Sequence, residues 1–367
     1  MNTFAADHTQ KPSSPSSSNS NSWGKSNNLI NRIAFLFILG VAVSFLLLYH
    51  SSYPFQSLLP SSSSSNLSIY QGYNESDLGK ILKEAAMKDK TVILTTLNEA
   101  WAEPESIFDV FLESFKIGND TNRLIKHLVI ISLDEKAHVR CLAMHPHCYS
   151  LHSQPGDNFS SEAYFMTPTY LEMMWRRIDF LSTVLQLGYN FVFTDADIVW
   201  LRNPFPHFYK NVDFQIACDN YMGDPKNRHN SPNGGFNYVK SNKRSIKFYK
   251  FWYSSRLRFP GKHDQDVLNI IKFDPFINRI GLKMRFLDTK YFGGFCEPSR
   301  DFNLVCTMHA NCCFGLGNKI HDLKLILQDW RRFMLATPHA KALSNFSWRA
   351  PDKCSTSSLH PPKKDKH

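Results

Sequence analysis

Two aspartates, Asp195 and Asp197, directly follow an apolar run at 189–194 in the sequence YNFVFTDADIVW. In an open α/β sheet, ligands bind beyond the carboxyl ends of the strands, so this position suits a bound group. Two carboxylates two residues apart repel each other unless a cation is shared between them. A divalent cation would relieve that repulsion and could bridge to a diphosphate. The alternative is a pair of solvated turn aspartates, because Asp also favours turns.

Two later segments add candidates for the same site. Gly234 and Gly235 come directly before or within a predicted strand at 235–239, and glycine lets a backbone approach a ligand closely. Asp264 and Gln265 stand at the start of a predicted helix in HDQDVLN. These two polar side chains are either ligand-binding groups or helix N-caps.

A third segment, CTMHANCCFGLGNK, contains His309 and ends in Lys319. An isolated histidine is more often structural than a ligand. Here it precedes a glycine-rich turn that ends in a lysine, and backbone N–H groups in such turns bind phosphate. The segment therefore predicts a metal or phosphate contact.

The elements that must position these residues alternate between short apolar runs and amphipathic stretches, which predicts an α/β domain with a mostly parallel sheet. A long helix with apolar residues at helical spacing ends near Gly188 and leads into the aspartate-bearing strand. Thr95, in the first predicted strand, is a further donor-binding candidate. The predicted strands are 91–97, 127–133, 189–194, 212–218, 235–239 and 283–288, and a helix at 321–335 closes the domain.

Composition limits the classes of protein. With 43% hydrophobic and 20% charged residues among 367, the chain has the balance of a globular protein rather than a disordered or fibrous one. A net charge of +10 could suggest nucleic acid, but the basic residues are scattered and no nucleic-acid motif accompanies them. We therefore expect no nucleic-acid partner; a basic face could instead suit a nucleotide diphosphate or an acidic polysaccharide.

One segment, 33–49, is apolar and uncharged over a length at the short end of the roughly 17–25 residues that span a bilayer. Lys25 and Arg32 precede it, and the next basic residue is Lys80, so the positive-inside rule places the N-terminus in the cytosol. We predict a cytosolic tail at 1–32, an uncleaved signal anchor at 33–49 and a Ser-rich stem at 50–90. The alternative is a buried core helix.

The sequence after this predicted anchor contains two features typical of secretory-pathway proteins, namely cysteines that could form disulfides and N-glycosylation sequons. All eight cysteines lie there, where disulfides can persist, and the local pairs Cys141–Cys148 and Cys296–Cys306 are the first to expect, unless several are free thiols. A zinc site fits less well, because no C-x-x-C pair is present. N-glycosylation sequons, which are modified only on the lumenal side, begin at Asn66, Asn74, Asn119, Asn158 and Asn345.

Several motifs in a fixed order resemble the plant nucleotide-diphospho-sugar transferases, glycosyltransferase family seventy-seven. They are WRRIDFL, FTDADIVWLRNPFP, DFQIACD, PNGGFNYV, HDQDVLN, RFLDTKYFGGFCEPSRD and MHANCC. The likeness covers about 91–335 and is to Golgi type II membrane members of uncharacterised substrate, related to arabinosyltransferases and xylosyltransferases. It implies a GT-A fold at 91–337, before a basic tail at 338–367, a UDP-sugar donor, a divalent metal, usually manganese, and retention of anomeric configuration.

The same order of motifs resembles retaining GT-A galactosyltransferases of the glycogenin type, which implies individual roles. Asp195, Asp197 and His309 would bind the metal, and Asp264 and Gln265 would lie at the reacting carbon or the sugar hydroxyls. The donor-binding set would be Thr95, Arg177, Asp195, Gly234, Gly235 and Lys319. The sequence departs from that pattern in having Asn-Gly-Gly for Asn-Ala-Gly and no Lys-Pro-Trp after Lys319.

The predicted function is therefore retaining transfer of a sugar, expected to be arabinose or xylose, from a UDP-sugar to a plant cell-wall polysaccharide or glycoprotein in the Golgi lumen. One alternative is a lumenal protein that binds sugars or nucleotide sugars without catalysis. Another is a haloacid-dehalogenase-type phosphatase with Asp195 as nucleophile. In that fold, however, the Asp-x-Asp motif opens the domain, whereas here about three strand–helix units precede it.

Overall fold

The computed structural model describes residues 75–151, 166–343 and 346–354. The predicted anchor at 33–49 and the sequons at Asn66, Asn74, Asn158 and Asn345 lie outside these residues. Within them, no helix is both long enough and apolar enough to cross a bilayer.

The described residues contain ten strands and ten α-helices. The strands are β1 (Thr91–Leu97), β2 (Leu128–Ser132), β3 (Cys148–Ser150), β4 (Asn190–Thr194), β5 (Ile198–Trp200), β6 (Phe214–Asn220), β7 (Ser231–Val239), β8 (Met284–Phe286), β9 (Phe292–Gly294) and β10 (Thr307–His309). The helices are α1 (Glu75–Ala85), α2 (Glu99–Ala102), α3 (Ile107–Ile117), α4 (Glu135–Met144), α5 (Pro168–Gln186), α6 (Lys243–Ser255), α7 (Asp264–Ile271), α8 (Pro275–Arg279), α9 (Leu316–Leu335) and α10 (Pro338–Leu343).

A seven-stranded sheet in the order β3-β2-β1-β4-β7-β6-β8 forms the centre of the domain. β3, β2, β1 and β4 run parallel, β7 is antiparallel to both β4 and β6, and β8 is parallel to β6. The predicted α/β class with a mostly parallel sheet is thereby confirmed. A second sheet has the order β5-β10-β9 and continues from the aspartate-bearing turn after β4.

Helices cover both faces of the central sheet, which explains why its strands are apolar on successive residues. Along β1, Ile93 packs with α3 and α9 in one core, while Val92 and Leu94 pack with α5 and α6 in the other. The long helix α5 begins at an N-cap, Thr167, whose hydroxyl accepts the N–H of Tyr170. It ends just before Gly188, whose φ of 84° is the left-handed conformation that ends helices.

The folded domain extends beyond both predicted boundaries. Helix α1 lies in the range predicted as stem, but Leu78 and Leu82 on its inner face are fully buried against the sheet. At the other end, residues 338–343 and 346–354 of the range predicted as a basic tail belong to the folded domain. Trp348 stacks on Phe302 at 3.7 Å between ring centroids, and the buried Asp322 accepts backbone N–H groups from residues 352–354.

The disulfide prediction is confirmed for Cys141–Cys148 and wrong for Cys296–Cys306. Cys296 instead bonds to Cys312, because β9 and β10 are parallel and these two cysteines follow the adjacent carboxyl ends of the strands. Cys313 bonds to Cys354, which fastens the C-terminal segment to the same loop. Cys306, directly before β10, and Cys218 are buried free thiols.

The sequon at Asn119 is the one that the described residues include. Asn119 is exposed, so a glycan at this position would meet solvent. The hydroxyl of Thr121, however, is buried and donates a hydrogen bond to the carbonyl of Phe115 at 2.8 Å. Glycosylation of Asn119 stays a prediction, and the buried hydroxyl implies that attachment would precede folding of this turn.

Candidate active site

Asp195 and Asp197 lie in the turn between β4 and β5, at the edge of the central sheet. The backbone N–H of Asp195 donates to the carbonyl of Gly235 at 2.7 Å, which continues the β4–β7 pairing by one residue. β5 then pairs with β10, with Ile198 opposite His309. The two sheets therefore meet where His309 lies beside Asp195 and Asp197, although the histidine follows both aspartates by more than 110 residues in the sequence.

The three side chains form a compact cluster that could hold a cation. One ligand atom from each of Asp195, Asp197 and His309 lies within 4.8 Å of the others, and Nε2 of His309 is 3.1 Å from Oδ1 of Asp197. That Oδ1 is buried yet makes no hydrogen bond with good geometry to any described residue. A buried carboxylate oxygen without such a partner is costly, and a bound cation would remove the cost. Two carboxylates and an imidazole fit a divalent cation.

The backbone of Gly235 lies close to the side chains of Asp195 and His309, while its predicted approach to a ligand stays a prediction. A Cβ at this position would lie 2.5 Å from Oδ2 of Asp195 and 2.7 Å from Cε1 of His309. Only glycine fits, because non-bonded atoms do not approach so closely. Gly234 is less restricted, since its nearest contact would be 3.3 Å, to Oδ2 of Asp264.

Arg177, on α5, is buried between two carboxylates. Its Nη1 is 2.9 Å from Oδ1 of Asp195, and its Nη2 is 2.7 Å from Oδ2 of Asp264, while the guanidinium lies over the ring of Phe193. The prediction assigned it to the donor. It does line the cavity, but these contacts use two of its three nitrogens to hold the site's own carboxylates.

The two aspartates of the motif differ in their electrostatic surroundings. Burial raises the pKa of Asp195, and the charge of Asp197 adds to this, against the opposing charge of Arg177. Burial also acts to raise the pKa of Asp197, but Lys319 and His309 outweigh it and lower that pKa. Asp197 therefore stays ionised at neutral pH.

Lys319 was predicted to contact a diphosphate, and in the structure its Nζ lies 2.5 Å from Oδ2 of Asp197. It projects from the first turn of α9, beside Trp101. The N-terminus of this 20-residue helix lines the cavity, and the helix dipole gives that end a partial positive charge. Lys319 and the helix end together make this wall of the cavity electropositive.

The two predicted catalytic residues lie beside Gly234 at the start of α7. The N-cap of this helix is His263 rather than either of them, so the N-cap alternative is wrong. Asp264 is 1% exposed, and Arg177 holds its pKa low although burial acts to raise it. Gln265 accepts the N–H of Gly234 at 2.9 Å through Oε1 and donates to Oδ2 of Asp219 at 2.9 Å through Nε2.

Thr95 is misassigned, because it does not line the cavity. Side chains alternate across a strand, and Thr95 shares its face with Ile93 and Leu97 in the core. Thr96, on the opposite face, lines the cavity together with Trp101.

Sequence reasoning missed Asp219, near the end of β6. It lines the cavity and accepts hydrogen bonds from three side-chain amides, those of Asn233, Gln265 and Asn311. The sequence did contain a pattern that indicates this residue, because Asp219 follows an apolar run as Asp195 does and reaches the same edge of the sheet.

These residues surround a cavity of about 440 Å³, a size that suits a small ligand. The metal cluster, Arg177 and the amides line its polar side. The apolar side includes Trp101, Leu133, Met173 and Phe314. One side of the cavity could therefore hold a cation together with an anion bound to it, and the other side offers apolar surface that includes two aromatic rings.

Comparison with known proteins defines the class. The family model for nucleotide-diphospho-sugar transferases matches residues 123–323, and the chain belongs to this family. It is 58% identical to an uncharacterised Arabidopsis thaliana protein over 280 residues, 76% of this chain and 73% of that protein. Membership of the family supports transferase activity and argues against the phosphatase alternative.

Two more distant relatives are named for their reactions. A UDP-galactose:fucoside alpha-3-galactosyltransferase of Dictyostelium discoideum is 37% identical over 37% of this chain and 24% of its own. A UDP-D-xylose:L-fucose alpha-1,3-D-xylosyltransferase of Arabidopsis thaliana is 28% identical over 58% of this chain and 54% of its own.

The close packing at Gly235 makes a testable prediction. Gly235→Ala should weaken Mn²⁺ binding by more than about tenfold, because the new methyl group would displace Asp195 or His309. Gly234→Ala should have a smaller effect. Calorimetric titration of Mn²⁺ in the presence of UDP measures both. Gly79→Ala, which adds a methyl group where no atom lies within 4 Å, is the control. Equal affinity of the Gly235→Ala variant and the parent would contradict the assigned cluster.

Proposed function

We propose that the chain is a GT-A-type glycosyltransferase that uses a divalent cation, expected to be manganese, to transfer a sugar from a UDP-sugar donor. The observation that carries this proposal is the Asp195–Asp197–His309 cluster, in which a buried Oδ1 of Asp197 makes no hydrogen bond of good geometry among the described residues, although Nε2 of His309 is 3.1 Å away. Membership of the nucleotide-diphospho-sugar transferase family supports it.

The metal end of the cavity suits a departing nucleotide diphosphate. A cation held by Asp195, Asp197 and His309 would stabilise the negative charge that develops on the diphosphate as the sugar leaves. Lys319 and the N-terminus of α9 add positive charge on the same wall, and such fixed charges need no reorganisation during the reaction. The flat ring of Trp101, near Lys319, offers a surface for the uracil base.

The other end of the cavity suits the transferred sugar. Asp264 is buried and pairs with Arg177, so we assign it to holding Arg177 in place. Gln265 lines the cavity, and we assign it to the reacting carbon, where its amide oxygen can stabilise developing positive charge. Retention then follows either from attack on the same face as the leaving group or from two successive inversions.

The donor sugar and the acceptor extend this proposal. We propose a pentose, xylose or arabinose, and a plant cell-wall polysaccharide or glycoprotein as the acceptor. The relative named as a xylosyltransferase supports the pentose, whereas the relative named as a galactosyltransferase keeps galactose as the alternative donor. A protein that only binds the donor is the remaining alternative, and it would share the binding site without turnover.

We also propose a single-pass type II protein of the Golgi membrane with its catalytic domain in the lumen. The charge asymmetry around 33–49 supports this orientation. Three disulfides among the described residues fit an oxidising compartment.

The orientation makes a prediction about the full-length chain in sealed Golgi vesicles. A protease added outside should remove only the N-terminal tail, because the membrane shields everything after residue 49. Immunoblotting with an antibody to the C-terminal domain measures this protection. Added detergent is the control and should abolish it. Digestion of the domain in intact vesicles would contradict the proposed topology.

The reaction is tested by a screen of UDP-sugars with and without Mn²⁺. The parent should release UDP only with the metal, and fastest with UDP-xylose or UDP-arabinose, and NMR of the first product should show a retained anomer. Asp197→Asn should weaken Mn²⁺-dependent UDP binding more than about tenfold, because it removes a charged metal ligand. His309→Ala should weaken it less.

Asp224→Asn is a matched control, since it makes the same chemical change on an exposed loop. Tight UDP binding without turnover on any donor would favour the non-catalytic alternative. Parental metal binding by the Asp197→Asn variant would show that the metal site is misassigned.

A further inference from the structure

Asp219 is the centre of a network of neutral amides at the sugar end of the cavity. Its Oδ1 accepts from Nδ2 of Asn233 at 2.8 Å and from Nδ2 of Asn311 at 2.7 Å. Its Oδ2 accepts from Nε2 of Gln265 at 2.9 Å. The three partners come from β7, from the loop after β10 and from α7, which are separate elements. One carboxylate thus joins three parts of the site.

The opposite end of each amide contacts a backbone N–H group. Oε1 of Gln265 accepts from Gly234, and Oδ1 of Asn233 accepts from Gly235, each at 2.9 Å. Oδ1 of Asn311 accepts from the N–H of Cys296 at 3.1 Å. Each amide therefore lies between an acceptor and a donor, and it fits both in only one of its two flip orientations.

An ionised carboxylate fixes that choice because it can only accept hydrogen bonds. With Asp219 ionised, every amide turns its NH₂ group toward Asp219 and its oxygen toward the backbone. With an amide at 219, one partner would face donor against donor. The orientation of six hydrogen bonds, three to Asp219 and three from the backbone, then depends on one side chain.

The backbone held in this way lacks regular pairing with β6, although the carbonyl of Gly235 still accepts the N–H of Asp195 on its other side. The β6–β7 register shifts after Ile216, and Asn233, Gly234 and Gly235 have no ladder partner on β6. The N–H groups of Gly234 and Gly235 are satisfied by side-chain amides instead, at the point where Gly235 lies against the metal cluster. The position of this strand segment therefore depends on the amides, and the amides depend on Asp219.

We propose that Asp219 is the positioning residue of the sugar end of the site. It orients the amide of Gln265 and fixes the Gly234–Gly235 backbone, and Oδ2 has a lone pair left to accept a hydroxyl of the transferred sugar. This inference rests on the proposed transferase function for its consequence in the rate. Its structural part, the fixed orientation of the amides, does not.

The test exchanges the carboxylate of Asp219 and the amide of Gln265, first singly and then together, in the full-length chain. Asp219→Asn sets its new NH₂ group against Nε2 of Gln265, and Gln265→Glu sets a second carboxylate against Asp219. Each should lower Tm by about 2–6 °C. In the double variant, the amide at 219 can donate to the carboxylate at 265, whose other oxygen still accepts the N–H of Gly234. All partners are satisfied again, and Tm should return to within about 2 °C of the parent.

Kinetics supply the second measurement. Asp219→Asn should lower kcat by on the order of 10²-fold while changing KM for the donor less than about threefold, because misplacing a reacting group affects the transition state most. UDP and Mn²⁺ affinity should stay near the parental values, since the metal ligands are unchanged. Asp224→Asn, with the same chemical change nearby on an exposed loop, should match the parent in every measurement.

The outcomes separate this inference from the proposed function. If the Tm losses of the single variants simply add in the double variant, the amide network does not depend on Asp219, and the inference is wrong whether or not the parent turns over. Parental kcat and Tm in Asp219→Asn would also overturn it. A parent without turnover on any donor would overturn the function instead, and recovery of Tm in the double variant would still support the orienting role.

Discussion

Repulsion among carboxylates is the constraint on which the rest of the site depends. Asp195, Asp197 and Asp264 converge on one cavity, and the chain supplies two cations against them. Arg177 pairs with Asp195 and Asp264, and Lys319 pairs with Asp197. Removing one partner of a buried pair costs about 3–5 kcal/mol, so the helices that carry these cations must be held firmly. The negative charge that remains is suited to a divalent cation.

The fold meets this requirement by fastening both helices near the residues that carry the cations. α5 carries Arg177 and lies against the sheet through Ile178 and Leu181, between a capped start and a glycine stop. α9 carries Lys319 on its first turn, and its buried Asp322 binds the C-terminal segment further along. The Cys296–Cys312 and Cys313–Cys354 disulfides fix the loop just before α9. The extra C-terminal structure thus supports the metal end of the site.

Local sequence patterns predicted the parts of the site that local geometry determines. Asp195 and Asp197 could be found because a single buried strand carries them to the sheet edge, and Gly235 because only glycine permits a close approach. The inward face of β1 could not be identified from sequence, since both of its faces are buried and alternation gives no contrast, and nothing therefore distinguished Thr95 from Thr96. The Cys296 pairing required knowledge that β9 and β10 are parallel neighbours. Asp219 is the last residue of the motif DFQIACD, but the side chains that donate hydrogen bonds to it are distant in sequence.

The two ends of the cavity are therefore built from different interactions. Strong ion pairs organise the metal end, and one of them, Arg177–Asp264, continues beneath the sugar end. At the sugar end, apart from the Asp219 carboxylate, neutral amides form the surface. An amide carries no charge and offers both a donor and an acceptor, so on the proposed function it can bind sugar hydroxyls without disturbing the charge balance. Because Asp219 fixes which way each amide presents these two groups, one carboxylate determines the hydrogen-bonding pattern of this end.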